Sequence, residues 1–286
     1  MQNDCNRCST GNPLQVREIQ ARSILNKSGI SDFTVNCYLG CQHGCRYCYA
    51  RFMTRFNPHR EAWGDFVDVK VNAPAILERQ VKRAPKGRVF ISSVCDPYQP
   101  LELRYGLTRA CLQILLAHGY PITFLTKSAL ASRDLDLMAS SPDLELGVTV
   151  TTADEGLSRL IEPGASPTEE RLALLEQAKA KGIQIYAFLG PFLPGLSDTD
   201  ENLSHLIERI ARIGVAYCYA DILNPRPQVW SSLKGLLENN FPEQVASTGR
   251  ILYNQRARDL YQQAIRERIL RFAQRAGLRG EIHFCF

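Results

Sequence analysis

Six short runs of β-branched and aromatic residues alternate with longer segments of helical periodicity along most of this 286-residue chain. Such alternation is typical of βα units on a parallel sheet, because parallel neighbours need a crossover connection that a helix can supply. The predicted strands are 32–40, 88–94, 121–128, 144–152, 183–192 and 215–223, and the helices among them are 74–84, 108–119, 166–182 and 198–214. The pattern predicts an α/β fold, either a doubly wound sheet or a partial barrel.

The chain beyond residue 225 has a different pattern. Two helical segments, 229–241 and 251–277, follow the last predicted strand. The second has an apolar stripe that includes Leu252, Leu260 and Ile269, and an arginine-bearing opposite face. We interpret this face as the solvated side of a packing helix, with phosphate binding as the alternative. The predicted organisation is an N-terminal extension (1–31), a core (32–225) and a helical C-terminal segment (226–286).

One helix start is predicted in detail. Ser166 is the expected N-cap of the helix at 166–182, with Pro167 at its first helical position and Gly182 as its stop.

Composition limits the compartment and the partners. There is no apolar run of the roughly 18–20 residues that a membrane span needs, and the N-terminus has no apolar signal region, so we expect a cytoplasmic protein without a membrane partner. Ten cysteines in such a chain indicate metal binding or catalysis more than disulfides. The net charge of +5 is compatible with a polyanionic substrate but does not establish one.

Three of the cysteines have a distinctive spacing, Cys41-x3-Cys45-x2-Cys48, on what should be a loop after the first core strand. A structural zinc ion would need a fourth ligand, for which His43 or Cys37 is available. A 4Fe–4S cluster held by only three cysteines would leave one iron open for a small molecule to chelate. The spacing favours the cluster over zinc and over buried structural cysteines.

Polar residues also follow the predicted strands. Ser92 to Asp96 come after the second strand, 126–128 end the third, and Thr151 and Thr152 end the fourth. In both candidate architectures ligands bind at the carboxyl ends of the strands, so these residues and the cysteine loop should lie at one edge of the sheet.

The cysteine motif resembles that of radical S-adenosylmethionine (SAM) enzymes, and its surroundings resemble the spore photoproduct lyase-like group, which is related to DNA repair photolyases. The resemblance covers about residues 32–225 and is carried by NCYLGCQHGCRYCYAR (36–51), SSVCDPYQPLE (92–102), TKS (126–128), RLIEPGASP (159–167) with Arg171 and Leu172, and PFLPGLSD (191–198). It implies a partial (β/α)6 barrel of the TIM type, here with a helical C-terminal extension.

The resemblance also implies cofactors and roles. Cys41, Cys45 and Cys48 would ligate a 4Fe–4S cluster, and SAM would bind its open iron. One electron, from a donor such as flavodoxin or ferredoxin, would cleave SAM, and the 5′-deoxyadenosyl radical would abstract a hydrogen atom from the substrate. The expected SAM contacts are Tyr47, Ser92, Ser93, Lys127, Thr151 and Thr152.

Several residues have structural alternatives. Tyr47 could anchor the loop and Lys127 could point to solvent. Glu162 is expected to form a salt bridge with Arg171 more than to contact SAM. For Asp96 and Glu102, acid–base catalysis, helix capping and salt bridging are all open roles. Pro191 and Phe192 could form an apolar wall against the adenine of SAM or belong to the hydrophobic core.

Two departures from the lyase pattern concern cysteines. The lyase carries a hydrogen-donating cysteine after the second strand; aligned on Asp96, that position is Ser93 here, and Cys95 lies two residues later. Cys95 is therefore the candidate catalytic donor. Cys37 stands where the group commonly has proline, and we interpret it as a bystander.

The remaining cysteines suggest an auxiliary site as a hypothesis. Cys5-x2-Cys8 has a metal-binding or redox spacing, and Cys285, with Cys218 or His283, could complete the site. Cys111 and Cys218 are otherwise expected in the core.

The substrate is open. A DNA lesion is what the resemblance suggests; a peptide, RNA or a small metabolite is the alternative, because a fold does not fix a substrate. A function of a different class, that of a non-catalytic metal protein that binds nucleic acid, would also explain the cysteines and the charge. The sequence does not determine the oligomeric state or whether SAM is consumed.

Overall fold

The computed structural model describes residues 13–55 and 59–286 of the chain. In these ranges the strands are β1 (Gln15–Ile19), β2 (Leu25–Lys27), β3 (Phe33–Val35), β4 (Tyr38–Leu39), β5 (Phe66–Lys70), β6 (Val89–Ile91), β7 (Ile122–Thr126), β8 (Leu144–Val150), β9 (Gln184–Phe192), β10 (Tyr217–Ile222) and β11 (Glu281–Phe284). The main sheet has the order β2-β3-β6-β7-β8-β9-β10-β11, and all of its pairs are parallel except β2 with β3.

Five predicted strands are confirmed as β6, β7, β8, β9 and β10, whereas the first, 32–40, is divided into β3 in the main sheet and β4 in a second sheet. Sequential parallel neighbours joined by helices form a partial (β/α)6 barrel of the TIM type, which decides between the two predicted architectures. Parallel pairing also aligns the carboxyl ends of the strands, since Val35 pairs with Ile91 and Ile91 with Phe124.

The helices cover the outer face of this sheet. They are α1 (Ala73–Val81), α2 (Glu102–Tyr105), α3 (Leu107–Ala117), α4 (Leu135–Met138), α5 (Glu155–Ile161), α6 (Thr168–Ala180), α7 (Asp200–Ile213), α8 (Pro227–Asn240), α9 (Gln244–Tyr253) and α10 (Gln255–Ala276). The predicted N-cap of α6 is wrong: Pro167 is the N-cap residue, and the Ser166 hydroxyl instead accepts a hydrogen bond from the Ala129 amide at 2.9 Å.

A second, three-stranded sheet of order β1-β5-β4 was not predicted. It lies where the chain enters the cysteine loop, because β4 pairs antiparallel with β5 and the loop follows directly. Gly40 begins that loop with φ of 87°, and a Cβ atom there would lie 2.4 Å from the carbonyl oxygen of Phe66. Only glycine allows the loop to cross β5 this closely.

The C-terminal segment differs from its prediction in three respects. The single helix expected at 251–277 is divided at Asn254, whose extended backbone ends α9 and whose side chain caps α10 by accepting from the Ala257 amide. Leu260, expected in the apolar stripe, is 60% exposed, whereas Ile265 and Ile269 are buried as predicted. The strand β11, which pairs with β10, was missed.

On the arginine face of α10, Arg256, Arg266, Arg271 and Arg275 are exposed, as predicted for a solvated face, whereas Arg258 and Arg268 are half-buried. Arg268 forms a 2.6 Å salt bridge with Asp200, and Arg258 donates to the carbonyl of Leu223 at 3.3 Å. The prediction of a solvated face is therefore wrong for these residues. No helix of the described ranges is long and apolar enough to span a bilayer.

Candidate functional site

The cysteine loop is a tight turn between β4 and the 3-10 helix Tyr49–Arg55. Within it the Gly44 amide donates to the Cys41 carbonyl and the Cys48 amide to the Cys45 carbonyl, both at 3.2 Å. The turn brings the side chains of all three predicted cluster cysteines, Cys41, Cys45 and Cys48, to one cavity inside the barrel.

Backbone hydrogen bonds fix the loop from two sides. The Gln42 amide donates to the side chain of Gln99 at 3.0 Å, and the Gln42 side chain accepts from the Leu101 amide at 2.7 Å. On the other side, the Gly164 amide donates to the His43 carbonyl at 3.0 Å. A Cβ atom on Gly164 would lie 2.3 Å from the Gln42 carbonyl, so glycine is needed for this contact.

A buried ion pair anchors the middle of the loop. Glu162 and Arg171 form the predicted salt bridge at 2.6 Å, and both side chains have almost no solvent exposure. The Tyr47 hydroxyl donates to Glu162 and lies 3.1 Å from the Thr151 hydroxyl. Burial raises the pKa of Glu162, but Arg171 and Lys127 outweigh it and lower the pKa, so the carboxylate is charged. Tyr47 thus anchors the loop, which was the structural alternative to a contact with SAM.

Lys127 follows β7 and lines the cavity beside the loop. Burial lowers the pKa of Lys127, but the nearby Cys45, Glu162 and Asp96 outweigh it and raise the pKa. Among the described residues, the ammonium group has no hydrogen-bond or salt-bridge partner. A half-buried cation without a direct partner can bind an anionic group of a ligand.

Asp96 connects the ends of three elements. One carboxylate oxygen accepts from the Thr126 hydroxyl at 2.7 Å and from the Tyr98 amide at 2.9 Å; the other accepts from the Lys127 amide at 2.8 Å. The second oxygen also lies 3.4 Å from Nδ1 of His43, whose pKa is lowered by burial. Asp96 therefore aligns the ends of β6 and β7 under the loop.

Glu102 has a structural role away from the cavity. Its carboxylate accepts from the Thr108 and Arg109 amides at 3.0 and 3.2 Å, which caps α3, and forms a 2.6 Å salt bridge with Arg133. Of the roles left open, capping and salt bridging are thus the ones that the structure shows.

Ser92, Ser93 and Cys95 line the cavity next to the cysteines. Ser92 has φ of 66°, an uncommon conformation for a residue other than glycine and one that concentrates at functional sites. The Ser93 hydroxyl accepts from Thr34 at 3.1 Å and from Asn36 at 3.2 Å. Burial raises the pKa of Cys95 to about 11, with Ser92 acting in the opposite direction, so the thiol keeps its hydrogen.

Thr151 and Thr152, which were predicted to contact SAM, are not among the residues that line the cavity. The Thr151 hydroxyl donates to the Gly190 carbonyl at 3.0 Å, and the Thr152 hydroxyl to Asn202 at 3.2 Å. The neighbouring Thr149 lines the cavity instead. Pro191 also lines it, whereas Phe192 is fully buried in the core.

The cavity has a volume of about 620 Å³ and runs through the barrel. Residues missed by the sequence analysis line it, including Tyr49, whose hydroxyl donates to the Ser93 carbonyl, and Trp63. The wall from β9 and β10 is formed by four aromatic residues, Tyr186, Phe188, Tyr217 and Tyr219, which we call the aromatic wall. Their spacing of two residues within each strand is a signal that could have indicated one shared face.

The three thiols that line the cavity are a donor set that could hold a cluster. Burial raises the pKa of Cys41, Cys45 and Cys48, so a bound cation is needed to stabilise their thiolates. Among the described residues, no three His, Cys, Asp or Glu side chains are close enough to hold one ion. The irons of a cube each take one cysteine, so its ligands can be further apart than those of zinc. Cys37, a proposed fourth zinc ligand, contacts the Cys111 thiol at 3.5 Å instead.

The predicted auxiliary site is not assembled by the described residues. Cys5 and Cys8 lie outside them. Cys218 is buried in the core, whereas Cys285 lines the cavity on the other face of the sheet. Cys218 therefore does not join Cys285.

Comparison with known proteins identifies the class of protein to which this barrel and its cysteine loop belong. The family model of the Radical SAM superfamily matches residues 35–207. The chain belongs to the radical SAM superfamily, and it is an enzyme of that class.

Sequence relatives and a solved structure of similar fold are also found. An uncharacterized protein of Methanocaldococcus jannaschii is 32% identical over 232 residues, 80% of this chain and 85% of that protein. A radical SAM Nα-GlyT isomerase of Pseudomonas phage M6 is 25% identical over 175 residues, 61% of this chain and 35% of the isomerase. The fold matches spore photoproduct lyase in complex with dinucleoside spore photoproduct, with a TM-score of 0.69 at 16% identity, covering 94% of this chain and 82% of the lyase.

We predict that Glu162→Gln destabilises the protein by about 3–5 kcal/mol, because it leaves the Arg171 charge buried without a counter-charge. The free energy of unfolding in urea, measured before cluster reconstitution, tests this. The matched control is Glu169→Gln, which breaks a partly exposed pair with Arg209 and should cost less than about 1 kcal/mol. Equal effects of the two changes would contradict the anchoring role of the buried pair.

Proposed function

We propose that this radical SAM enzyme binds a 4Fe–4S cluster through Cys41, Cys45 and Cys48 and uses SAM to abstract a hydrogen atom from a nucleic-acid substrate, such as a DNA lesion. The observation that carries the proposal is that the three cysteines and Lys127 line one cavity large enough for a cofactor and part of a substrate. When bound, the cluster would supply the electron that cleaves SAM; a donor such as flavodoxin or ferredoxin would provide it.

The residues of the chain position the cofactor. Lys127, without a direct partner, is placed to bind the carboxylate of SAM, and the Ser92 and Ser93 segment lines the same part of the cavity. Tyr47 and the Glu162–Arg171 pair keep the loop rigid, which preorganises the site.

The nucleic-acid substrate is supported by the aromatic wall and by the relatives. Aromatic side chains in a cavity provide stacking surfaces for bases. The lyase of similar fold binds a dinucleoside photoproduct, and the phage relative is named as a GlyT isomerase. Modification of a peptide, RNA or a small metabolite, and metal-dependent nucleic-acid binding without catalysis, are the competing functions.

Cys95 is the proposed hydrogen-atom donor. Its thiol is protonated and lines the cavity, whereas the Ser93 hydroxyl at the lyase position is engaged with Thr34 and Asn36. In the transfer, the S–H bond of Cys95 breaks and a C–H bond forms on the product radical. The thiyl radical that remains would take one electron from the reductant and one proton from solvent, which restores the thiol.

Anaerobic reconstitution with iron and sulfide, followed by SAM and dithionite, tests the proposed function. We expect formation of 5′-deoxyadenosine and a reduced-cluster signal in electron paramagnetic resonance. Cys45→Ala should lose both, because it removes a cluster ligand, whereas Cys218→Ala, a change in the core outside the cavity, should keep both. A protein that binds iron and sulfide but never cleaves SAM would instead be the non-catalytic binder.

Lys127→Met should raise the KM for SAM about 10- to 100-fold, since a charge-assisted hydrogen bond contributes about 1.5–3 kcal/mol. Iron content and the resonance signal should be unchanged, because Lys127 does not ligate the cluster. Lys181→Met, which removes a surface ammonium paired with Asp136, is the control. An unchanged KM for SAM in Lys127→Met would exclude the proposed contact.

Cys95→Ala should keep the cleavage of SAM but lower the yield of product per 5′-deoxyadenosine at least ten-fold, because the product radical would lose its hydrogen donor. The measurement is the ratio of the two products with a lesion-containing oligonucleotide, and deuterium from solvent should enter the product only when Cys95 is present. Cys218→Ala, which removes a buried thiol outside the cavity, is the control. If both variants keep the wild-type ratio, Cys95 is not the donor.

A further inference from the structure

Three segments that meet around the cysteine loop contain basic residues but no acidic ones. The stretches without any aspartate or glutamate are 33–60, 156–161 and 222–237. They include the cysteine loop with its 3-10 helix, most of α5 and the start of α8. Four arginines of these stretches, which we call the arginine patch, are Arg46, Arg51, Arg159 and Arg226.

Hydrogen bonds bring two of the segments together. The Arg51 guanidinium donates to the Cys45 carbonyl at 3.2 Å, and the next residue along the loop is Arg46. The Arg46 amide donates to the Ile161 carbonyl at 2.8 Å, two residues beyond Arg159 on α5. The loop and the end of α5 therefore hold three of the four charges close to one another.

The helix α8 brings the fourth charge to the same place. The Arg226 guanidinium lies over the Phe52 ring, 4.9 Å from its centre, and Phe52 is the neighbour of Arg51. Arg159 and Arg226 are exposed, whereas the other two arginines of the patch are half-buried. The salt bridges that arginine forms in residues 13–55 and 59–286 involve other side chains, such as Arg133 and Arg209. The charge of the patch is thus not neutralised by a carboxylate of the described residues.

The patch lies beside the most accessible of the three predicted cluster ligands. Cys48 is half-buried, whereas Cys41 and Cys45 are buried. The neighbouring Tyr49 is 45% exposed, so the protein surface begins one residue from this thiol. Because electron transfer weakens steeply with distance, a protein that delivers an electron to this site has to dock close to the loop. Complexes of this kind are weak and have small interfaces, so a compact charged surface is sufficient.

The cavity also reaches the surface away from the patch. It extends to the amino ends of the strands, where Arg88, Thr123 and Glu145 line it. Ile30, which precedes β3 and lines the same end, is 63% exposed. A substrate that enters there does not cross the arginine patch. This arrangement favours a protein partner on the patch over the nucleic-acid substrate.

We propose that the arginine patch is the docking surface of an acidic one-electron carrier protein of the flavodoxin type. The inference rests on the proposed function and specifies its electron-donating partner. Opposite charges steer the encounter and raise the association rate, and salt weakens this effect because the charges are exposed. One electron passes from the reduced carrier to the enzyme in each encounter, and no covalent bond forms or breaks.

The test uses the full-length, anaerobically reconstituted protein and an acidic flavodoxin. The patch variant carries Arg159→Glu and Arg226→Glu, which reverse the two exposed charges. The control variant carries Arg275→Glu and Arg279→Glu, which change the net charge equally at exposed positions next to the amino end of β11. Isothermal titration calorimetry with oxidised flavodoxin gives the Kd. Stopped-flow absorbance at two salt concentrations gives the rate of reduction by reduced flavodoxin and by dithionite.

We expect the control variant to match the wild type, and the patch variant to bind flavodoxin about ten-fold more weakly. Its reduction by flavodoxin should slow by about the same factor and lose most of its salt dependence, because steering is lost. Reduction by dithionite, which needs no docked protein, should be unchanged. Equal Kd values in the two variants would overturn the proposal. So would a patch variant that keeps flavodoxin binding but loses affinity for an oligonucleotide, since the patch would then bind nucleic acid.

Dithionite separates this inference from the proposed function. If the wild type forms 5′-deoxyadenosine with dithionite but flavodoxin binding is the same in both variants, the docking surface is wrong and the radical SAM function stands. If flavodoxin binding depends on the patch but the dithionite-reduced protein never cleaves SAM, the docking surface stands and the proposed function fails.

Discussion

The buried salt bridge between Glu162 and Arg171 is the interaction on which the site depends most. A buried pair of this kind seldom adds stability over apolar residues, so its retention calls for another reason. Here the carboxylate also accepts a hydrogen bond from Tyr47 in the cysteine loop and lies 2.8 Å from the Thr151 hydroxyl at the end of β8. One charged group thus joins the loop to the barrel, and this geometry fixes where the cysteines are presented.

The polar residues at the strand ends are numerous because they hold the cysteine loop and the strand ends together. Asp96, Gln99 and Glu162 together use their side chains to bind amides and hydroxyls of the loop and of neighbouring strand ends. A loop around a reactive cofactor has to be rigid without a regular ladder of backbone bonds. Side chains from the scaffold supply those bonds, and the rigid elements behind them limit the loop's freedom.

Much of this could be predicted from the sequence, and the misses have physical causes. The six barrel strands can be recognised in the sequence because they alternate with helical segments. The cysteine triad can be recognised because its spacing is local. The strands β1 and β11 were missed because none of their residues is buried, so neither has the apolar run that marks the barrel strands. Thr151 was predicted to contact SAM because its position at a strand end does not reveal that its hydroxyl already has hydrogen-bond partners in Glu162 and Gly190.

The placement of β11 gives the cavity two chemically different parts. The ends of β6 and β7 and the cysteine loop provide cations, thiols and hydroxyls, which suit a charged cofactor. The strands β9, β10 and β11 provide rings, one carboxylate and one neutral thiol, which suit a flat, uncharged ligand. Because β11 follows α10, which itself packs on α7, the C-terminal segment is part of the barrel and not an appendage to it. A chain lacking its last residues would lose the strand beside Asp221 while keeping every cavity residue of the cysteine loop and of the ends of β6 and β7.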